Sequence, residues 1–154
     1  MNEAIRNEFG IEDAYLKIYP MSGYGNPDTL REILKIEKPD AIMHFTDPRF
    51  WVWMYNMEHE IRQNIPILYY NIWDDLPDPL YNTDFYRSSD TLLSISKQTY
   101  GINKRILSKF GYEDWQTVYA PHGITEKRLF KIDKDDTKFK KFENYYNFDK
   151  YKFK

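Results

Sequence analysis

The stretch IPILYYNIWDD, residues 65–75, joins an uncharged apolar run to two aspartates. Pro66–Trp73 has the length of a strand, and its aromatic and branched apolar residues favour β-structure. A strand without charge at any position is typical of a parallel sheet that is covered on both faces. We therefore predict a central strand here, with Asp74 and Asp75 directly after its carboxyl end.

Strands and helices alternate on both sides of this run. Further strands are predicted at residues 14–19, 40–45, 91–95 and 117–120, and helices at residues 28–38, 50–63 and 97–110. Such alternation, with right-handed crossovers, predicts an α/β fold with a doubly wound, mostly parallel, Rossmann-like sheet. The core faces of the second and third helices are predicted to consist of Phe50, Trp53, Met54, Met57 and Ile61, and of Ile102, Ile106 and Phe110.

Composition excludes several classes of protein. The chain has 154 residues, with 22 basic and 24 acidic side chains and a net charge of −2, so it lacks the basic surface typical of nucleic-acid-binding proteins. The absence of cysteine excludes disulfides and thiolate metal sites. No apolar run approaches the ~20 residues of a membrane-spanning helix, and residues 1–10 lack the apolar core of a signal peptide. We expect a soluble, cytoplasmic protein.

The last part of the chain differs from the rest. Residues 131–154 interleave lysines and acids with aromatic residues. We expect residues 1–130 to form one Rossmann-like domain, incomplete at its amino terminus, and residues 131–154 to be a linker followed by the first strand of a second domain. The alternative is an aromatic tail that packs back on the core.

Ligands of open α/β sheets bind beyond the carboxyl ends of the strands, which directs attention to three segments. These are Thr46–Pro48, Pro121–Gly123, and the segment Asp74–Asp90, predicted to be a 17-residue loop. That loop combines aspartates with Trp73, Tyr81 and Asn82, a mixture that suits a neutral, hydroxyl-rich ligand such as a sugar and repels phosphates. The alternative is a solvated turn whose aspartates cap local backbone.

The three histidines show no local metal-ligand spacing. His122 lies in a Pro-His-Gly turn after a predicted strand, where the backbone approaches the crevice. His44 lies within a predicted strand, and we expect a hydrogen-bonded residue of the core or the sheet edge. His59 lies between two glutamates on a predicted helix, and we expect it to be solvated.

Three segments in order, IPILYYNIWDD, TLLSISKQT (91–99) and VYAPHGITEKRLF (118–130), resemble one half of a known enzyme fold. They look like the acceptor-side half of GT-B-fold glycosyltransferases of the large, mostly retaining family, over about residues 38–130. That family shows a strand ending in a His-Asp pair, a strand ending in a helix-opening serine, and a Pro-Asn-Gly turn. Here Trp73-Asp74, Ser96 and Pro121-His-Gly123 stand at these places, so a tryptophan replaces the usual histidine.

The resemblance implies transfer of a sugar from a nucleotide-sugar to a hydroxyl acceptor, without metal or cofactor. The nucleotide-sugar would bind a second domain, and this fragment alone would be inactive. The resemblance and the strand-end rule together assign catalytic roles to Asp74 and His122, and substrate contacts to Asp47, Trp73, Asp75, Tyr81, Asn82, Ser96, Lys97 and Gly123.

Two other functions fit the sequence. One is a stand-alone, flavodoxin-like binding module for a small polar ligand or a protein partner. The other is a metal or hydrolase site in which Asp47, Asp74 and Asp75 come together at the edge of the sheet.

Overall fold

The computed structural model describes residues 2–125, 129–133 and 135–146, which form two compact units, Met1–Pro121 and His122–Lys154. The first unit contains helices α1 (Asn2–Phe9), α2 (Pro27–Glu37), α3 (Val52–Tyr55), α4 (Glu58–Ile61), α5 (Thr83–Arg87) and α6 (Lys97–Leu107). Its strands are β1 (Ile42–His44), β2 (Ile67–Asn71), β3 (Thr91–Ser94) and β4 (Thr117–Tyr119). The second unit contains helix α7 (Thr137–Tyr146).

The four strands form one all-parallel sheet in the order β1-β2-β3-β4. The predicted α/β class and the Rossmann-like parallel sheet are therefore confirmed. Strand order follows chain order, so each crossover connects neighbouring strands in the same direction. The register aligns His44, Tyr69, Leu92 and Thr117 in one row across the sheet.

The two faces of the sheet differ in burial. Ile67, Tyr69 and Asn71 of β2 are buried on one face, whereas Leu68 and Tyr70 on the other face are half-buried. The strand prediction is confirmed, but only one face has the full cover that the uncharged run predicted. Hydrophobic burial therefore stabilises mainly the face on which the row through His44 lies.

Two apolar clusters cover that face. One packs α5 and α6 on β2 and β3, and consists of Tyr69, Tyr86, Leu92, Ile102, Ile106 and Leu107. The other packs α3 and α4 on β2, and consists of Met54, Tyr55, Met57, Ile61 and Ile67, with Leu30 and Leu34 of α2 against it.

Of the predicted core faces, Phe50 and Phe110 are exceptions, since both are exposed. Phe50 stacks on Tyr24, and Phe110 lies under the Arg87 guanidinium.

Helices α2 and α6 begin at the capping residues that the sequence supplies. The Asn26 side chain accepts a hydrogen bond from Thr29 N before α2, and Ser96 Oγ accepts one from Thr99 N before α6. Lys38 ends α2 in a left-handed conformation just before Pro39. Because these signals are local, both helices were predicted close to their observed bounds.

Residues 14–19 do not form the predicted strand. No strand is assigned to them, and side-chain contacts hold the segment instead: Leu16 N donates to Asn2 Oδ1, and Lys17 Nζ and the Tyr19 hydroxyl contact Glu37. Alternation of apolar residues produces a strand only where a partner strand offers hydrogen bonds.

The single helix predicted over residues 50–63 is also wrong, because the segment is not one continuous helix. It is divided into a 3-10 turn at Pro48–Phe50 and the short helices α3 and α4. The break falls at Met57, whose N–H donates to Met54 O. Aromatic and β-branched residues around Val52 have low helix propensity, so burial of Met54, Tyr55 and Met57 determines the path of the chain.

Two segments predicted to be irregular contain helices. The segment 74–90 contains a 3-10 turn at Leu80–Asn82 and then α5, because Tyr86 is fully buried and Phe85 packs in the core. Residues 137–146, predicted to be linker, form α7, in which Phe142 and Tyr146 pack one helical turn apart. The strand predicted at the end of residues 131–154 lies outside the described residues.

Candidate functional site

A cavity of about 170 Å³ lies at the carboxyl edge of β1 and β2. Two of the three predicted segments meet there, the one after β1 and the one after β2. The lining consists of Asp47, Pro48, Tyr69, Asn71, Ile72, Trp73, Asp74 and Asn82. Four predicted site residues, Asp47, Trp73, Asp74 and Asn82, are therefore brought together. The cavity volume matches one six-membered ring, since about 150 Å³ accommodates benzene in an engineered protein cavity.

Asp47 is held by its neighbour Arg49. Its carboxylate caps the 3-10 turn by accepting from Arg49 N, and it accepts from Arg49 Nε at 3.0 Å and 3.1 Å. These hydrogen bonds hold the pKa of Asp47 below its ordinary value. Arg49 also lies 5.9 Å from the centre of the Tyr81 ring. The charge of Asp47 is thus balanced at the rim of the cavity.

Trp73 is fixed by three hydrogen bonds. Its backbone N–H donates to Asn71 Oδ1 at 3.2 Å, its indole Nε1 donates to Asp75 O at 2.8 Å, and its carbonyl accepts from Thr99 Oγ1 at 2.7 Å. These contacts hold the turn after β2 against α6. The aromatic ring on the cavity wall therefore has a defined position before any ligand binds.

The two adjacent aspartates have different surroundings. Asp74 lines the cavity, is exposed, and makes no side-chain hydrogen bond among the described residues. Asp75 is not a lining residue, and its carboxylate accepts from Leu76 N at 2.7 Å. Of the pair, Asp74 is the carboxylate that a ligand in the cavity can reach.

Asn82 carries an unpartnered buried oxygen. The side chain is only 2% exposed, and its Oδ1 has no hydrogen-bond partner among the described residues. A buried polar atom without a partner loses its hydration without compensation, a cost of about 1–3 kcal/mol.

Sequence reasoning missed Asn71 and Tyr69, which also line the cavity. The Asn71 amide nitrogen donates to Tyr86 Oη at 3.0 Å and to Asn103 Oδ1 at 2.7 Å, and Asn103 donates to Ser94 Oγ at 2.9 Å. An asparagine at the end of an apolar strand was the available signal, because a buried amide requires partners. Tyr69 carried no such signal, since an aromatic residue is ordinary in a buried strand.

Three other predicted site residues do not line the cavity. Tyr81 is exposed and packs edge-on against Trp73, with ring centres 5.8 Å apart, so it lies at the rim. Ser96 serves as the N-cap of α6 and lies 2.9 Å from Thr99 Oγ1. Lys97 is exposed in the first turn of α6. For Ser96 the capping role explains the residue without a ligand.

His122 and Gly123 belong to the second unit, and their assignment to the site stays a prediction. His44, expected to be a hydrogen-bonded residue, is buried next to Tyr69, and its Nδ1 lies 2.7 Å from Tyr55 Oη. Burial lowers the pKa of His44 to about 4. His59 is exposed, as expected.

Among the described residues, no group of three or more His, Asp or Glu side chains is arranged to hold a metal ion. The metal site considered for Asp47, Asp74 and Asp75 is therefore not formed. In the same part of the chain, every helix is too short or too polar to cross a bilayer. No protein-family model, curated protein or solved structure matches the chain.

Proposed function

We propose that the chain is the acceptor-side domain of a glycosyltransferase and that the cavity at the carboxyl edge of β1 and β2 holds the sugar or other hydroxyl-bearing acceptor. One observation carries the proposal: the cavity combines an accessible carboxylate, the side chains of two buried asparagines and two aromatic residues. Carboxylate and amide oxygens accept hydrogen bonds from hydroxyl groups, and aromatic rings cover the C–H surface of a sugar ring.

In this proposal Asp74 contacts the reacting hydroxyl. The hydroxyl oxygen attacks the anomeric carbon of the donor sugar, the bond to the nucleoside diphosphate breaks, and the diphosphate leaves with the electron pair. The hydroxyl proton passes to the Asp74 carboxylate. Asn82, which lines the same cavity, orients the acceptor.

The donor is assigned to a second domain, as in the fold that the sequence resembles. The Asp74 carboxylate disfavours a diphosphate in this cavity, which supports its use for the acceptor. His122 keeps its proposed catalytic role, and Gly123 its proposed substrate contact. No metal or cofactor is required by this scheme.

Binding of sugars to the 154-residue chain tests the proposal without the donor domain. We expect calorimetry to detect a monosaccharide, and we expect Asp74→Asn to weaken its binding about tenfold. Asp84→Asn is the matched control, because Asp84 is an exposed aspartate on the neighbouring α5 and does not line the cavity. The proposal fails if no monosaccharide binds or if both variants weaken binding equally.

A stand-alone binding module is the second candidate. It is favoured by the fact that, in the described part of the chain, all eight lining residues belong to the first unit. A stand-alone module would bind sugars in the same way. It would neither hydrolyse a nucleotide-sugar nor transfer its sugar when the nucleotide-sugar is added to the protein with its acceptor bound. Release of nucleoside diphosphate under these conditions favours the transferase.

A further inference from the structure

The described part of the first unit buries three tyrosines, Tyr55, Tyr69 and Tyr86, whose hydroxyl groups differ in their partners. The Tyr55 hydroxyl lies 2.7 Å from His44 Nδ1. The Tyr86 hydroxyl accepts a hydrogen bond from the Asn71 amide at 3.0 Å. The Tyr69 hydroxyl has no hydrogen-bond partner among the described residues, although the side chain is only 2% exposed. Because a buried tyrosine hydroxyl usually has a partner, Tyr69 requires an explanation.

The Tyr69 hydroxyl faces the cavity at the carboxyl edge of β1 and β2. Tyr69 lines this cavity, and the charges of Asp47 and Arg49 at its rim act on the hydroxyl. Asn82 Oδ1 also lacks a partner, but that atom is closed to solvent, whereas the Tyr69 oxygen is not. A ligand in the cavity can therefore reach the Tyr69 hydroxyl.

The surroundings of Tyr69 make its hydroxyl a fixed donor. Burial raises the pKa of Tyr69, so the group stays protonated and can donate one hydrogen bond. The ring stacks on His44, with centres 5.0 Å apart, and packs against Tyr86 at 6.0 Å. A donor whose position is already fixed loses little conformational freedom when a ligand binds.

From these observations we infer that Tyr69 determines specificity in the cavity by donating a hydrogen bond from its hydroxyl to a hydroxyl oxygen of the acceptor sugar. The inference rests on the proposed function and adds a residue to the same site. The acceptor then presents two hydroxyl groups to the cavity. One donates its proton to the Asp74 carboxylate and reacts, whereas the other accepts from Tyr69 and does not react.

The lack of a protein partner gives Tyr69→Phe a distinctive effect on stability. The substitution keeps the packed ring and breaks no hydrogen bond among the described residues, so the midpoint of urea unfolding should not fall. Tyr55→Phe is the matched control, because Tyr55 is equally a buried tyrosine but does not line the cavity. It should lower the midpoint, since His44 loses the hydroxyl at its Nδ1.

Binding of monosaccharides to the 154-residue chain tests the contact. Glucose, galactose and mannose are titrated in a calorimeter, and the sugar that binds most tightly is then titrated into both variants. We expect Tyr69→Phe to weaken binding about fivefold, the effect of one hydrogen bond between neutral groups. Tyr55→Phe should leave the affinity unchanged.

Deoxy sugars identify the partner of Tyr69. Each monodeoxy analogue of the bound sugar lacks one hydroxyl group. One analogue should bind the wild type about fivefold more weakly than the parent sugar, but should bind Tyr69→Phe as tightly as the parent does. A structural role of Tyr69 would not produce this coupling. Equal affinity of the wild type and Tyr69→Phe for the parent sugar, or equal losses in both proteins for every analogue, overturns the inference and leaves the proposed function intact. Absence of binding by all three monosaccharides overturns both.

Discussion

Two asparagines at the carboxyl edge of the sheet are equally buried but differently bonded. Asn71 and Asn82 are each 2% exposed. Asn71 bonds through both ends of its amide, to Trp73 N, Tyr86 Oη and Asn103 Oδ1, whereas Asn82 Oδ1 has no partner among the described residues. The first amide belongs to a network that joins β2, β3 and α6, and the second lies on the wall of a cavity.

The difference separates a buried amide that joins several elements from a buried amide whose oxygen joins none. A fully bonded buried amide stabilises one arrangement of the elements around it, and its removal leaves several groups without partners. A buried oxygen without a partner is already destabilising, so its removal costs the fold little. Substitution of Asn71 should therefore reduce stability more, and substitution of Asn82 should reduce sugar binding more.

The largest expected effect is on stability at Asn71. We expect Asn71→Ala to lower the free energy of unfolding by about 3 kcal/mol, because three hydrogen-bonding groups lose their partner. Asn82→Ala, the matched substitution, should cost less stability than Asn71→Ala while weakening sugar binding. Urea unfolding of both variants checks the comparison. Equal losses of stability would show that the two amides have the same role.

His44 is intermediate between these cases, because its Nδ1 lies against Tyr55 Oη while its Nε2 has no partner among the described residues. Burial lowers the pKa of His44 from 6.5 to about 4. Between these values the unfolded chain binds a proton that the folded chain does not, so stability falls as the pH decreases. We expect His44 to account for a loss of about 2 kcal/mol between pH 7 and pH 5.

Unfolding of the wild type and of His44→Phe at both pH values measures this contribution. The phenylalanine variant should be less stable at pH 7, because Tyr55 loses its partner, but its stability should depend less on pH. His59→Gln removes an exposed histidine and serves as the control, with a pH profile like that of the wild type. A profile unchanged by His44→Phe would contradict the assigned burial effect.

Features that depend on residues close together in the chain were predictable from sequence. Helices α2 and α6 carry their caps and apolar spacing within a few residues, so local rules found them. Asp47 and Asp74 were placed together because parallel strands end at one edge of the sheet. The sequence does not show that Arg49 bonds to the Asp47 carboxylate and leaves the Asp74 carboxylate accessible, because this depends on side-chain geometry.

The parts that were missed depend on long-range contacts. Asn71 meets Asn103, which lies 32 residues later in the chain. Residues 14–19 alternate like a strand, yet the observed sheet offers them no partner. In α7, by contrast, the signal was local: Asp136 Oδ1 accepts from Lys138 N at the start of the helix, but the charge-rich composition favoured the interpretation as a linker.

The smallest expected effect is on stability at Ser96. We predicted a ligand contact for this residue, whereas the structure shows that it caps α6. We expect Ser96→Ala to lower the free energy of unfolding by about 1 kcal/mol, because Thr99 N loses its acceptor at the start of α6. Ser96→Asp should retain most of the stability, since aspartate is an equally good cap. Sugar affinity should be unchanged in both variants, as Ser96 does not line the cavity. Tighter or weaker sugar binding in Ser96→Asp, at unchanged stability, would instead place Ser96 at the ligand and extend the binding site from the cavity to the beginning of α6.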